Sequence, residues 1–290
     1  MTKRFLVAGC LILAGCAQTA PLPEPLQPQA RYDLLIRGGT VYDGSGGAPF
    51  AGDVAISGDR IAYVGPSAPG KAATVVDAAG MAVSPGFINM LSWAVESLIA
   101  DGRGLGDTAQ GVTLEVFGEG HSMGPWNARM KELDLKRQGD IKYDIEWTSL
   151  GEYLDYLARR GVTPNVASFV GATTVRVHEL GEGDVDPTPA QMARMRALVR
   201  QAMQEGAVGV GSSLIYAPDN FAETPELIAI TEEAARCGGM YISHIRDEGP
   251  KLLEAIDELV EISRKSGAPA EIYHFKQSGK DNWHKIDAAI

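Results

Sequence analysis

The chain has 290 residues, 45% hydrophobic and 22% charged, a balance that suits a globular protein of about two domains and excludes wholesale disorder. Its 26 basic and 37 acidic residues give a net charge of −11, a surface that repels phosphate backbones and excludes nucleic acid as a partner. Past the N-terminus no apolar run approaches the ~20 residues of a membrane-spanning helix.

Residues 1–16 read as a lipoprotein signal peptide. Lys3 and Arg4 form a basic start, 5–13 an apolar core, and Ala14-Gly15 a small-residue exit. Leu13-Ala14-Gly15-Cys16 resembles the bacterial lipobox, which implies that Cys16 is lipidated and becomes the new N-terminus. The protein is then expected to be exported and anchored to a membrane at the cell envelope or periplasm. With Cys10 removed and Cys16 acylated, Cys237 is left without a disulfide partner. Residues 17–31 carry prolines at 21, 23, 25 and 28 and read as an extended tether.

Residues 32–82 are expected to form a small β-subdomain, sandwich-like, with short strands at 34–36, 40–42, 54–56 and 61–64. Gly38-Gly39, the glycine-rich 44–47 and Ser57-Gly58-Asp59 separate them. From residue 83 strands alternate with helices. Strands are expected at 83–90, 112–118, 165–170, 208–213, 240–244 and 271–274. Ser149 with Glu152, and Thr188-Pro189 with Gln191, are capping boxes ahead of apolar helical faces. Thr224-Pro225 starts a further helix, and Gly267 closes one lined by Leu253, Ile256 and Val260.

Repeated βα units imply a parallel sheet with right-handed crossovers. A dinucleotide-type open sheet wants a glycine-rich turn after the first strand, and 89–93 offers none. The expected class is therefore α/β: an incomplete (β/α)8 TIM-type barrel of about six βα units over 83–290, preceded by the β-subdomain.

Barrel active sites form at the C-terminal strand ends. Glu119 falls there after the second strand, His244 at the end of the fifth and His274 at the end of the sixth. A lone histidine at a strand end is more often a hydrogen-bonded structural residue, but two imidazoles and a carboxylate converging from three strands make a plausible zinc shell with a position left for water. Ser212-Ser213 lacks the nucleophile-elbow glycines, so a serine hydrolase is a poor reading. His178 and His284 receive no role, and Trp126, Trp147 and Trp283 read as packing residues.

The segments "YDLLIRGGTVYDGSGG", "VVDAAGMAVSPGFINM", "QGVTLEVFGEGHSMGP", "EGAVGVGSSLIYAP", "YISHIRDEG" and "IYHFK" resemble, in this order, successive blocks of D-aminoacylases, the N-acyl-D-amino-acid deacylases of the amidohydrolase superfamily. The resemblance implies a metal-bearing barrel flanked by a small β-domain, with His244 and His274 as the metal-binding histidines. It also implies hydrolysis of the linear amide bond of a small N-acyl-D-amino acid.

Three departures accompany it. Leu91 and Trp93 stand where the family has an H-x-H pair, so one zinc ion per chain is expected. "GEGHS" lacks the family's bridging cysteine; Glu119 is the substitute ligand and His121 the alternative. The family's proton-transferring aspartate belongs to an eighth strand, so the general base is expected beyond Ile290 and the chain as it stands is expected to be catalytically incomplete. Asp247 and Glu248 read as residues behind the ligands or as solvated loop groups, and Lys276 and Arg246 as cations that contact a substrate carboxylate or simply face solvent. Two rival readings stay open: another amidase of the superfamily, and a barrel lipoprotein that has lost catalysis.

Overall fold

The computed structural model describes residues 31–290, so the expected leader, Cys16 and nearly all of the tether lie outside the described residues. The described chain divides into two compact units at the Pro85–Gly86 junction.

In the first unit β1 (Arg31–Val41) is central. It runs antiparallel to β2 (Phe50–Ser57), which pairs antiparallel with β3 (Arg60–Gly65). On its other side β1 runs parallel to β4 (Lys71–Asp77) and, at its end, to β5 (Ala82–Val83). The result is one five-stranded sheet, not the sandwich-like arrangement expected. Two local effects account for the difference. Gly38-Gly39 is not a turn: Gly38 takes φ +72° and the ladder shifts register between Ile36 and Gly39, a bulge within one long strand. β4 escaped notice because six of its seven residues are exposed, so it carries no in–out alternation. Val83 belongs to this sheet and not to the first barrel strand.

In the second unit every strand pairing is parallel. β6 (Phe87–Asn89), β7 (Val112–Phe117) and β8 (Asn165–Ser168) form one sheet; β9 (Val170–Gly171), β10 (Gly209–Ser213), β11 (Met240–His244) and β12 (Ala270–Ile272) form the next. β8 and β9 are consecutive pieces of a single segment, interrupted at Phe169, whose N–H donates to the Phe117 carbonyl. That segment passes the strand order from one sheet to the other.

Six helices of nine or more residues connect the described strands: α1 (Ala128–Arg137), α2 (Leu150–Arg160), α3 (Ala172–Leu180), α4 (Pro189–Gln204), α5 (Thr224–Ala235) and α6 (Leu252–Ser266). Both expected capping boxes form, Ser149 with Glu152 and Thr188 with Gln191. Gly267 ends α6 in the left-handed conformation. The helices bury Tyr153, Leu157, Met195, Val199, Leu227, Ile230 and Ile262 against the sheets. β10 is buried at all five positions, as expected of a parallel strand covered on both faces. A second, smaller apolar layer of Val116, Phe169, Ile242 and Tyr273, joined by Leu91 and Leu114, packs between strands of both sheets.

Candidate metal centre

The three residues expected to meet do so. Glu119 follows β7, and the turn that aims it depends on Gly118, whose φ of +106° favours glycine and where a Cβ would be driven into the Phe169 carbonyl oxygen. His244 is the last residue of β11, in register with Ser213 of β10. His274 lies two residues beyond β12, further out than expected, and has φ +31°, the one positive φ outside glycine among the described residues. Such a conformation is uncommon for a histidine and turns the chain at the strand end.

Glu119 Oε1 lies 3.0 Å from His244 Nδ1 and 3.1 Å from His274 Nε2. All three ligand-type atoms fall within 4.8 Å of one another. The two imidazole rings stand edge to face, centroids 4.4 Å apart. Burial holds His244 below the ordinary histidine range, outweighing the hydrogen bond to the Glu119 carboxylate that raises it.

A second carboxylate backs the same rings. Glu248 Oε1 is 3.2 Å from His244 Nε2 and 3.5 Å from His274 Nδ1, and Lys276 Nζ is 2.5 Å from Glu248 and 2.9 Å from His274 Nδ1. The ammonium neutralises Glu248 and would repel a dication on that side. Glu119, among the described residues, has no Lys or Arg paired with it, and its charged-pair contacts are the two imidazoles. An ion is therefore favoured on the Glu119 side, with Glu248 behind.

Leu91 and Trp93 take separate roles. Leu91 joins the apolar layer beneath the cluster, while the Trp93 indole N–H donates to Glu119 Oε2 at 2.9 Å. His121 stays outside the trio, on the wall of the cavity. Arg246 does not face a substrate: its guanidinium is spent on Glu258 and on the carbonyls of Asn220 and Ala222. Asp247 accepts from the N–H groups of Gly249 and Lys251 and so shapes the loop. His178 contacts Glu179, and His284 is exposed. Trp126 and Trp147 pack together in the core, whereas Trp283 is exposed.

The cluster opens into a cavity of about 510 Å³ that is also lined by Thr173, Ser213, Tyr216, Asp219 and Lys276. Beyond Trp93, Glu119 and His121 lies a second cavity, about 330 Å³, walled by Met123, Trp126, Met130, Leu133 and Val177 with Asp134, Arg137 and Glu182 at its rim. Asp219 carried no signal in sequence. It is 1% exposed, its Oδ2 accepts from the Ser213 N–H, and its Oδ1 has no partner. Burial pushes it up to about 7.

A parallel βα chain with imidazoles and a carboxylate converging at the C-terminal strand ends is an α/β fold of the amidohydrolase kind. No family model matches the chain. N-acyl-D-aspartate deacylase from Alcaligenes xylosoxydans is 34% identical over 257 residues, 87% of this chain and 51% of that protein. A solved D-aminoacylase, studied for a binuclear metal centre with one-metal activation and second-metal attenuation, matches at TM-score 0.79 and 31% identity over 89% of this chain and 54% of its own. N-acyl-D-glutamate deacylase from Bordetella bronchiseptica, solved with zinc and a phosphonate mimic of the tetrahedral intermediate, matches at TM-score 0.79 and 27% identity over 90% and 55%. The chain belongs to the D-aminoacylase family of N-acyl-D-amino-acid deacylases. It spans about half the length of the curated relatives it matches.

Proposed function

We propose that this chain carries the metal centre of a hydrolase that cleaves the amide bond of N-acyl-D-amino acids, with one zinc ion held by Glu119, His244 and His274. The observation that carries the reading is the convergence of those three side chains on Glu119 Oε1, at 3.0 and 3.1 Å. The donor set fits: ligands bonded at ~2.0–2.2 Å in a tetrahedron lie roughly 3.3 Å apart, and two neutral imidazoles with a carboxylate are ordinary zinc donors. The parallel strands of the second unit are read as part of a (β/α)8 barrel and the first unit as its flanking β-domain.

When bound, zinc would polarise the substrate carbonyl and lower the pKa of a coordinated water towards ~7. The chain's own residues arrange the rest. Lys276 donates to the outer nitrogen of His274, which orients its inner one, and the Glu248 carboxylate lies 3.2 to 3.5 Å from the outer nitrogens of both imidazoles. The larger cavity leaves room for the scissile amide beside the cluster, and the smaller one admits an apolar substituent of the substrate. No described residue is assigned the proton-transferring role; Glu248 is already paired with Lys276.

Equilibrium dialysis against zinc tests the site. His244→Ala and His274→Ala should each abolish retention and Glu119→Gln should weaken it, whereas unchanged zinc in His244→Ala would refute the assignment. Calorimetric titration of the zinc-loaded chain with N-acetyl-D- and N-acetyl-L-amino acids tests the substrate class, with heat from the D series expected and equal binding of both series contradicting it. Export and anchoring through Cys16 rest on the sequence of the first sixteen residues; mass spectrometry of membrane-purified protein should find Cys16 acylated at the N-terminus, and an unmodified Cys16 would remove the anchor.

A further inference from the structure

Trp93 sits on the cluster in a way that the metal reading does not by itself require. Its side chain is 58% exposed, so packing alone does not dictate an indole there. Yet the indole N–H reaches Glu119 Oε2 at 2.9 Å while the other oxygen, Oε1, faces both histidines. The two oxygens of one carboxylate are thereby divided between an ion site and a nitrogen donor. Leu91, two residues earlier, turns into the apolar layer and leaves no second donor beside the indole.

We infer that Trp93 is a positioning residue that confines Glu119 to one-oxygen coordination and excludes a second ion, which makes this a single-metal member of its family. The inference rests on the metal reading above. A carboxylate bridges two ions by offering both oxygens. Here one lone pair of Oε2 is engaged by an N–H, and the ring stands on the side from which a second ion would approach to ~2.0–2.2 Å. A hydrogen bond to the free oxygen of a ligating carboxylate also fixes that ligand's orientation, and loss of such outer partners commonly weakens metal binding 10–100-fold. The indole therefore does two things with one contact: it orients the ligand and it occupies the neighbouring site. The contrast is with the solved D-aminoacylase characterised by a binuclear centre.

The test uses zinc and cobalt(II) on the whole chain, with stoichiometry by elemental analysis, affinity by competition with a chromophoric chelator, and tryptophan emission as a spectroscopic readout. Wild-type protein should bind one zinc, and cobalt should quench the Trp93 part of the emission. W93F keeps the ring's bulk but lacks the N–H: it should still bind one zinc, about 10-fold or more weaker, and lose most of the cobalt-dependent quenching. W93H puts a metal ligand beside Oε2 and should take up a second zinc when the ion is in excess. Matching circular dichroism and melting curves establish that both variants fold. W93F with wild-type affinity overturns the orienting role, and W93H that stays at one zinc in excess metal overturns the exclusion. A wild-type chain that binds no zinc sinks the metal reading and this inference together, so the two failures are told apart by the wild-type ratio alone.

Discussion

Side chains separated by more than a hundred positions meet at Glu119, and single atoms decide how. Gly118→Ala would force a Cβ against the Phe169 carbonyl at a φ of +106°, so it should destabilise the second unit by roughly 2 kcal/mol or more and shift the urea midpoint. Asp219 makes a pH prediction. Its folded pKa of about 7 lies above the ordinary 3.8 because burial favours the neutral carboxyl. That contribution is complete below about pH 4 and is lost as pH rises through 7. Asp219→Asn keeps an acceptor for the Ser213 N–H and cannot ionise, so its stability relative to wild type should improve steadily from pH 4 to 8, by up to about 4 kcal/mol. A difference that does not change with pH would contradict the buried, neutral carboxyl. At this scale the sequence singled out three residues that the fold brings together, because strand-end position and side-chain chemistry are both local. It could not identify Asp219 or the role of Trp93. Those depend on burial and on partners 6 to 26 positions away, in the Ser213 N–H and the Glu119 carboxylate.

Helices and strands were legible where a local rule operates. Capping boxes announced α2 and α4, Gly267 ended α6, and β7, β10 and β11 fall within the strand ranges expected. Strand β4 and the continuity of β1 were not legible, since one lacks alternation and the other hides a bulge behind a pair of glycines. Contacts between helices were equally hidden. Arg176 of α3 and Glu226 of α5 form a buried ion pair at 2.5 Å, both side chains almost wholly enclosed. Breaking a buried pair leaves an uncompensated charge, whereas replacing both partners with apolar groups can be nearly neutral. Glu226→Leu should therefore lower stability by about 3–5 kcal/mol, and Arg176→Met combined with Glu226→Leu should recover most of it. Equal losses in the single and double variants, read from denaturant midpoints, would show that the pair itself carries little.

For the whole molecule, the order of βα units and the resemblance of six sequence blocks pointed to an α/β fold, and the structural matches share the fold over roughly nine-tenths of the chain. The proposed metal centre is consistent with that architecture, because parallel strands deliver their C-terminal ends to one rim and here β7, β11 and the turn after β12 bring Glu119, His244 and His274 together. The smaller cavity beyond Trp93 adds a consequence for the proposed ligands: Val177→Trp should fill it and, if the proposed function holds, weaken the binding of N-acyl-D-amino acids with bulky apolar groups by about 10-fold while leaving zinc retention unchanged. The most direct measurement is anomalous diffraction at the zinc edge from crystals of the zinc-loaded chain. One peak is predicted, within ~2.0–2.2 Å of Glu119 Oε1, His244 Nδ1 and His274 Nε2, with the Trp93 indole still on Oε2; a peak elsewhere, a second peak beside Trp93, or none at all would contradict the single-zinc centre.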